Sequence, residues 1–215
     1  PRVVLLDLQL PDMNGMDILR RVREQELPVA VVVITAHGSV NVAVEAMRAW
    51  EAKRDECELM IMGWIDNDTI EWAIEHEVSF FVFTPERLQA ALAGAKKCGK
   101  PARVHIELET GMHRTGFCED QLVEVSRSLR ENQAHFQLEG LCSHLAGAED
   151  FSNRRRILNQ IKTFNQLCSR FREKGLRPRY RHLACSAGLL NYPDSILDLV
   201  RIGISNYGFW PSDET

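Results

Sequence analysis

Short, nearly unbroken apolar runs alternate with longer amphipathic stretches along the chain. Residues 3–8 form the first run and end in the turn Pro11-Asp12-Met13-Asn14-Gly15, the pattern of a buried parallel strand entering a loop. Ile18, Leu19 and Val22 then recur at helical spacing among Arg20, Arg21, Arg23 and Glu24, and Pro28 ends that helix before a second run at 30–36. The same reading predicts strands over 58–62, 79–83, 103–108, 138–143, 181–185 and 199–207. Helices are predicted over 39–50, 69–77, 85–98, 119–132 and 153–174, each with an apolar stripe and a charged face. The seventh connection is weak: Gly188 to Pro193 and a short Ile196-Leu197 turn allow one or two helical turns.

Eight strands in strict βα alternation predict an α/β fold, a closed (βα)8 TIM barrel forming one domain over 1–215. An open doubly wound sheet is the alternative for a generic βα repeat. With 45% hydrophobic and 26% charged residues, the 215-residue chain has the composition of an ordinary globular protein. A net charge of −4 without a basic stripe offers nucleic acid no footprint, and no run approaches the length of a membrane span. Cys57, Cys98, Cys118, Cys142, Cys168 and Cys185 form no C-x-x-C pair, so neither a metal site nor a disulfide framework is expected, and reduced thiols in a cytoplasmic protein are. No signal or transit segment opens the chain.

Two stretches carry family resemblances. The segments LLDLQLPDMNGMDILRRVRE and VVVITAHGSVNVAVEAM resemble the receiver domain of response regulators over residues 1–49, which implies Asp7 as phosphoacceptor and Thr35 as its switch hydroxyl. The receiver's acidic pair for Mg²⁺ and its last-strand lysine are missing, and phosphoryl transfer depends on that charge neutralisation. Asp7 and Thr35 are therefore expected to be relics. Beyond residue 50, LETGMHRTGF (108–117), GLCSHLAGAED (140–150), CSAGLLNYP (185–193) and DLVRIGISNYGFWPS (198–212) resemble the barrel domain of alanine racemases dependent on pyridoxal phosphate (PLP). Glu109 stands where many racemases have Asp, and Cys185 where Asn is common.

This second resemblance implies a phosphate cup of Ser186 with the amides of Gly203 and Ile204, in keeping with barrel phosphate sites after strands seven and eight. It also implies Arg201 facing the pyridine nitrogen, Arg114 near the phenolate edge and His144 beside them. Taken singly, each has a structural reading as loop hydroxyl, tight turn, ion-pair partner or hydrogen-bonded histidine. His37, His76, His105, His113, His135 and His182 lack metal-ligand spacing and are assigned no role.

The family's first-strand lysine motif, KANAYGHG, is absent, and Lys53, Lys96, Lys97, Lys100, Lys162 and Lys174 all fall in predicted helices or at amino ends of strands. The racemase's second base, a tyrosine supplied by the C-terminal domain of a partner subunit, is expected to be lost as well. Two receiver-type βα units plus about six racemase units make eight. The expectation is therefore an engineered or recombined chimera without catalytic activity, with a receiver-derived segment at 1–49, a seam at 50–57 near Trp50 and Trp64, and a racemase-like segment at 58–215. No cofactor is expected beyond weak, non-covalent PLP or phosphate, and no partner beyond such a small anion. The chain is expected to be a monomer, binding neither nucleic acid nor membrane. The alternatives are a truncated PLP-dependent racemase-like isomerase and a phosphoacceptor module.

Overall fold

In a computed structural model of the chain, residues 3–7, 30–34, 60–207 and 210 are described. Strand β1 (Val3–Asp7) lies parallel to β2 (Ala30–Ile34), with Val3 opposite Ala30 and Asp7 opposite Ile34. A second parallel sheet follows in chain order: β3 (Met60–Ile61), β4 (Ser79–Val82), β5 (Ala102–Glu107), β6 (Phe136–Cys142) and β7 (Tyr180–His182). Each strand neighbours the next without reversal, which is the arrangement of a barrel wall; an open doubly wound sheet reverses its order at a switch point. Among the described residues the architecture is thus an α/β parallel half-barrel.

The helices between the strands start where the local chemistry dictates. Asp66 accepts a hydrogen bond from the Thr69 amide at 2.7 Å and caps α1 (Asn67–Glu75). The Thr84 hydroxyl caps α2 (Pro85–Cys98) by accepting from the Arg87 amide at 3.3 Å, Pro85 takes the first turn, and Gly99 ends the helix at φ 66°. A 3₁₀ turn over Glu119–Gln121 leads into α3 (Leu122–Glu131), and another over Phe151–Asn153 leads into α4 (Arg154–Glu173). The weak seventh connection is the short α5 (Ser186–Asn191), followed by a 3₁₀ turn at Pro193–Ser195.

Both faces of the wall are buried, which is why its strands read as apolar runs. Phe80, Val82, Val104, Ile106 and Leu141 face the helices, where Ile157, Ile161, Phe164, Leu167 and Phe171 of α4 join them at helical spacing. Phe81, Phe83 and Cys142 form a separate cluster on the other face, with Met60 and Met62 packed against it. The β5–β6 register slips once: Val104 opposes Leu138, but His105 opposes Gly140. This bulge leaves Glu139 as the extra residue, buried at 1% exposure and paired with Arg103 at 2.7 Å.

The structure corrects one predicted element. The stretch 199–207 is apolar enough for an eighth strand, yet Leu199 makes only an isolated parallel bridge to His182, and the chain curls into a 3₁₀ turn at Ile204–Tyr207. Backbone bonds from Leu199 to the Arg181 carbonyl and from Arg201 to the Ala184 carbonyl hold the segment beside β7, and side chains add to them. The Gly203 amide donates to the Ser186 hydroxyl at 3.0 Å, and the Arg201 guanidinium reaches back to the carbonyls of Ser143, His182 and Leu183. No helix among the described residues is long and apolar enough to cross a membrane.

Candidate functional site

A cavity of about 840 Å³ opens at the carboxyl ends of the strands, where loops after β3, β5, β6 and β7 converge. Ser186, the first residue of α5, is almost fully buried; its Oγ accepts from the Gly203 amide at 3.0 Å and from the Ser205 amide at 3.5 Å. Two backbone donors therefore meet at one hydroxyl on the cavity wall. A Cβ on Gly203 would find no heavy atom within 4 Å, so the space beside this cup is open.

Arg201 lines the same cavity. Its Nη1 donates to His182 Nδ1 at 2.7 Å and to the His182 carbonyl at 3.0 Å, while Nη2 donates to the carbonyls of Ser143 at 2.5 Å and Leu183 at 3.3 Å. Burial holds its pKa below the ordinary value, with the thiols of Cys142 and Cys185 and the carboxyl of Glu107 pulling the other way. His144 also lines the cavity, and burial together with the positive field of Arg201 and Arg114 lowers its pKa to about 4, so it is neutral at pH 7.

The loops that carry these groups are stitched from below. Gln160 of α4, buried at 1% exposure, accepts from the Ala146 amide at 2.9 Å and donates to the His144 carbonyl at 3.0 Å. Thr110 and Ser143 share a hydroxyl–hydroxyl bond of 2.7 Å. Glu109 folds the loop after β5 by accepting from the amides of Gly111 and His113, and Gly116 closes it at φ 119°, where a Cβ would lie 2.7 Å from the Glu109 nitrogen. Glu109 thus works on the backbone of its own loop, while Arg114 and Thr115 at the loop's far side line the cavity.

Ser186, Gly203, Ile204, Arg201, Arg114 and His144 therefore converge on one cavity, together with Cys185. Of the receiver-type residues, Asp7 ends β1, and Thr35 lies outside the described residues. Lys96 and Lys97 sit on α2, Lys162 on α4, Lys174 at its end and Lys100 just before β5. None of these lines the cavity, and Lys53 is outside the described residues. No cluster of three or more His, Cys, Asp or Glu suited to a metal occurs among the described residues.

Three functional-site neighbours escape a motif reading. Glu107 lines the cavity; burial raises its pKa, opposed by the Thr115 hydroxyl that donates to it at 2.8 Å and by Arg114 and Arg201. His105 and His182, given no role from sequence, are buried on the inner face of the wall with 2.9 Å between His105 Nδ1 and His182 Nε2. The available signal was the alternation in Val104-His105-Ile106-Glu107, which puts both polar residues on the strand face opposite the helices.

Comparison with known proteins agrees with this placement. The family described as Alanine racemase, N-terminal domain, matches residues 27–211, and the Response regulator receiver domain matches residues 1–52. The alanine racemase of Desulforamulus reducens is 34% identical over 87% of this chain and 51% of its own length; that of Methanococcus maripaludis is 29% identical over 97% and 60%. The solved alanine racemase of Streptomyces coelicolor A3(2) superposes with a TM-score of 0.83 at 28% identity, over 99% of this chain and 55% of that one. The chain spans roughly half the length of the relatives it matches.

These matches overturn the expectation of a chimera without catalytic activity. The racemase family match extends from residue 27 to 211, across the seam expected at 50–57, and alanine racemases align over 87% and 97% of the chain. Residues 27–52 fall within both matches. The expectation that no cofactor is held falls with it, since the family matched is the one whose motifs imply PLP. On sequence, on fold and on the convergence of its motifs at one cavity, the chain belongs to the alanine racemase N-terminal domain family.

Proposed function

We propose that the chain is the barrel part of a PLP-dependent, alanine racemase-like isomerase, and that the cavity at the strand ends holds the cofactor. The observation that carries this reading is the presence, in the lining of one cavity, of the Ser186–Gly203 cup and a buried guanidinium whose hydrogen-bonding partners are an imidazole and three carbonyls. The donor set suits a phosphorylated pyridine. Amide hydrogens of Gly203 and Ser205 point at a single spot, the side of Gly203 is open, and a cavity of about 840 Å³ is in the range of cofactor sites.

Ser186, Gly203 and Ile204 would hold the phosphate, Arg201 the ring nitrogen and Arg114 the phenolic oxygen. When bound, PLP supplies an electron sink that stabilises negative charge at an amino acid's α-carbon. Arg201 offers only hydrogens, so a ring nitrogen facing it must act as acceptor. His144, neutral at pH 7, can donate a hydrogen bond from one ring nitrogen and accept one at the other on the cavity wall. The Phe81 and Phe83 side chains give that wall an apolar part, which would exclude water beside a bound cofactor. The lysine that would anchor the cofactor is not among the described residues that line the cavity.

Residues 1–49 are proposed to supply the first two βα units of receiver type, closing a single (βα)8 barrel over 1–215. Support comes from the parallel β1–β2 pair and from chain-ordered β3 to β7. A monomeric state and a cytoplasmic location are readings of the sequence, and sedimentation of the purified chain tests the first. The function is tested by adding PLP and L-alanine and following D-alanine by chiral chromatography, with borohydride reduction and peptide mapping to find a modified lysine. D-alanine formation with one trapped lysine is expected; saturating PLP with neither outcome would overturn the reading.

A further inference from the structure

The buried histidine pair belongs to no motif, yet its His182 touches Arg201, a cation that lines the cavity. We infer that His105 is a positioning residue for Arg201: it holds His182 in one neutral tautomer, and His182 in turn holds the guanidinium at the cavity wall. Only the identity of what Arg201 faces rests on the proposed function; the hydrogen-bond chain itself does not.

The direction of the chain follows from donor inventory. Arg201 Nη1 lies 2.7 Å from His182 Nδ1, and a guanidinium can only donate, so Nδ1 accepts and carries no hydrogen. A neutral His182 then has its hydrogen on Nε2. That nitrogen lies 2.9 Å from His105 Nδ1, which must accept, leaving the His105 hydrogen on its own Nε2. One tautomer at each ring satisfies both contacts, and a proton added to either acceptor nitrogen breaks a bond. Burial and the neighbouring Arg201 and His105 push the His182 pKa far below its ordinary value, in keeping with a ring that stays neutral.

Packing leaves the pair little freedom. Phe81 faces both imidazoles, at 5.9 Å from His105 and 5.7 Å from His182 between ring centroids. The bulge in the β5–β6 register sets Gly140 opposite His105, and a Cβ there would lie 2.2 Å from His105 Nδ1 and 3.0 Å from His182 Nε2. A side chain at 140 would occupy the space of the hydrogen bond. The bulge and the glycine together therefore reserve the site for two rings in contact.

The experiment has two arms. Long-range proton–nitrogen spectra of the unmodified chain, labelled at histidine with ¹⁵N, read the tautomers directly at neutral pH. Both rings are expected with hydrogen on Nε2 alone; a hydrogen on Nδ1 of either ring overturns the inference, whether or not PLP binds. In the second arm His105→Phe removes the acceptor and His105→Asn supplies another. PLP titrated by its absorbance should bind about 5–10-fold more weakly to His105→Phe, the effect of one buried hydrogen bond, and within about 2-fold of the original to His105→Asn. Equal loss in both variants, or none in His105→Phe, refutes the positioning role. If the unmodified chain fails to bind PLP, the proposed function falls and the tautomer spectra alone decide this inference.

Discussion

A hydroxyl that two amides approach is sensitive to charge. Ser186→Asp would set a carboxylate where the phosphate is proposed to lie, and like charges at that range in a partly buried site cost several kcal/mol. PLP or phosphate affinity should fall about 100-fold or more by absorbance or calorimetric titration, with unchanged circular dichroism; retained affinity would remove the cup from the site. Glu107 makes a different case. Its pKa is raised, so the carboxylate destabilises the folded chain above that pKa and the cost vanishes once the group is protonated, below its ordinary value of 4.5. Glu107→Gln should therefore raise the thermal midpoint at about pH 8 and make little difference near pH 4. Ser186, Arg201 and Gly203 were legible because loop motifs keep their residues adjacent in sequence. Glu107, His105 and His182 were not: their partners lie on other strands, and a lone polar residue inside an apolar run carries no motif.

At the scale of elements, the sequence is most legible where capping chemistry is local. For α2, Thr84, Pro85 and Gly99 mark both ends, and the predicted 85–98 coincides with the helix observed. Thr84→Ala removes the acceptor for the Arg87 amide and should destabilise the chain by about 1 kcal/mol, seen as a lower urea midpoint with unchanged slope. The eighth strand failed for the opposite reason. Leu199, Val200, Ile202 and Ile204 satisfy an apolar count, but what the backbone does there is decided by distant groups. The Ser186 hydroxyl claims the Gly203 amide, and carbonyls on two other segments claim the Arg201 side chain. The bulge at Glu139 was invisible for the same reason, since register is a property of two strands and the pattern of one does not contain it.

For the whole molecule, parallel order and α/β class were readable from βα alternation alone, whereas the two resemblances at the amino-terminal end were read as a boundary that the family match then crossed. The same wall that builds the cavity makes stability depend on acid. His182 faces Arg201 and His105, and His144 faces Arg201 and Arg114; burial keeps both rings neutral, with the His144 pKa down at about 4. In the unfolded chain each ring takes up a proton near its ordinary value of 6.5. Below that pH the unfolded state binds more protons than the folded one, so stability is complete above about pH 7 and declines as pH falls, until the folded His144 itself titrates near 4. Each ring contributes up to about 1.4 kcal/mol per pH unit in that window. Glu107 works against the decline wherever the folded state holds its proton and the unfolded state does not, while Asp66 and Asp198, whose pKa values are lowered by hydrogen bonds from Thr69 and Arg181, add to the loss at still lower pH. Urea midpoints should fall steadily between about pH 7 and pH 5, and His144→Gln should flatten part of that slope. A slope that His144→Gln leaves unchanged would mean that this ring is not held neutral in the folded wall.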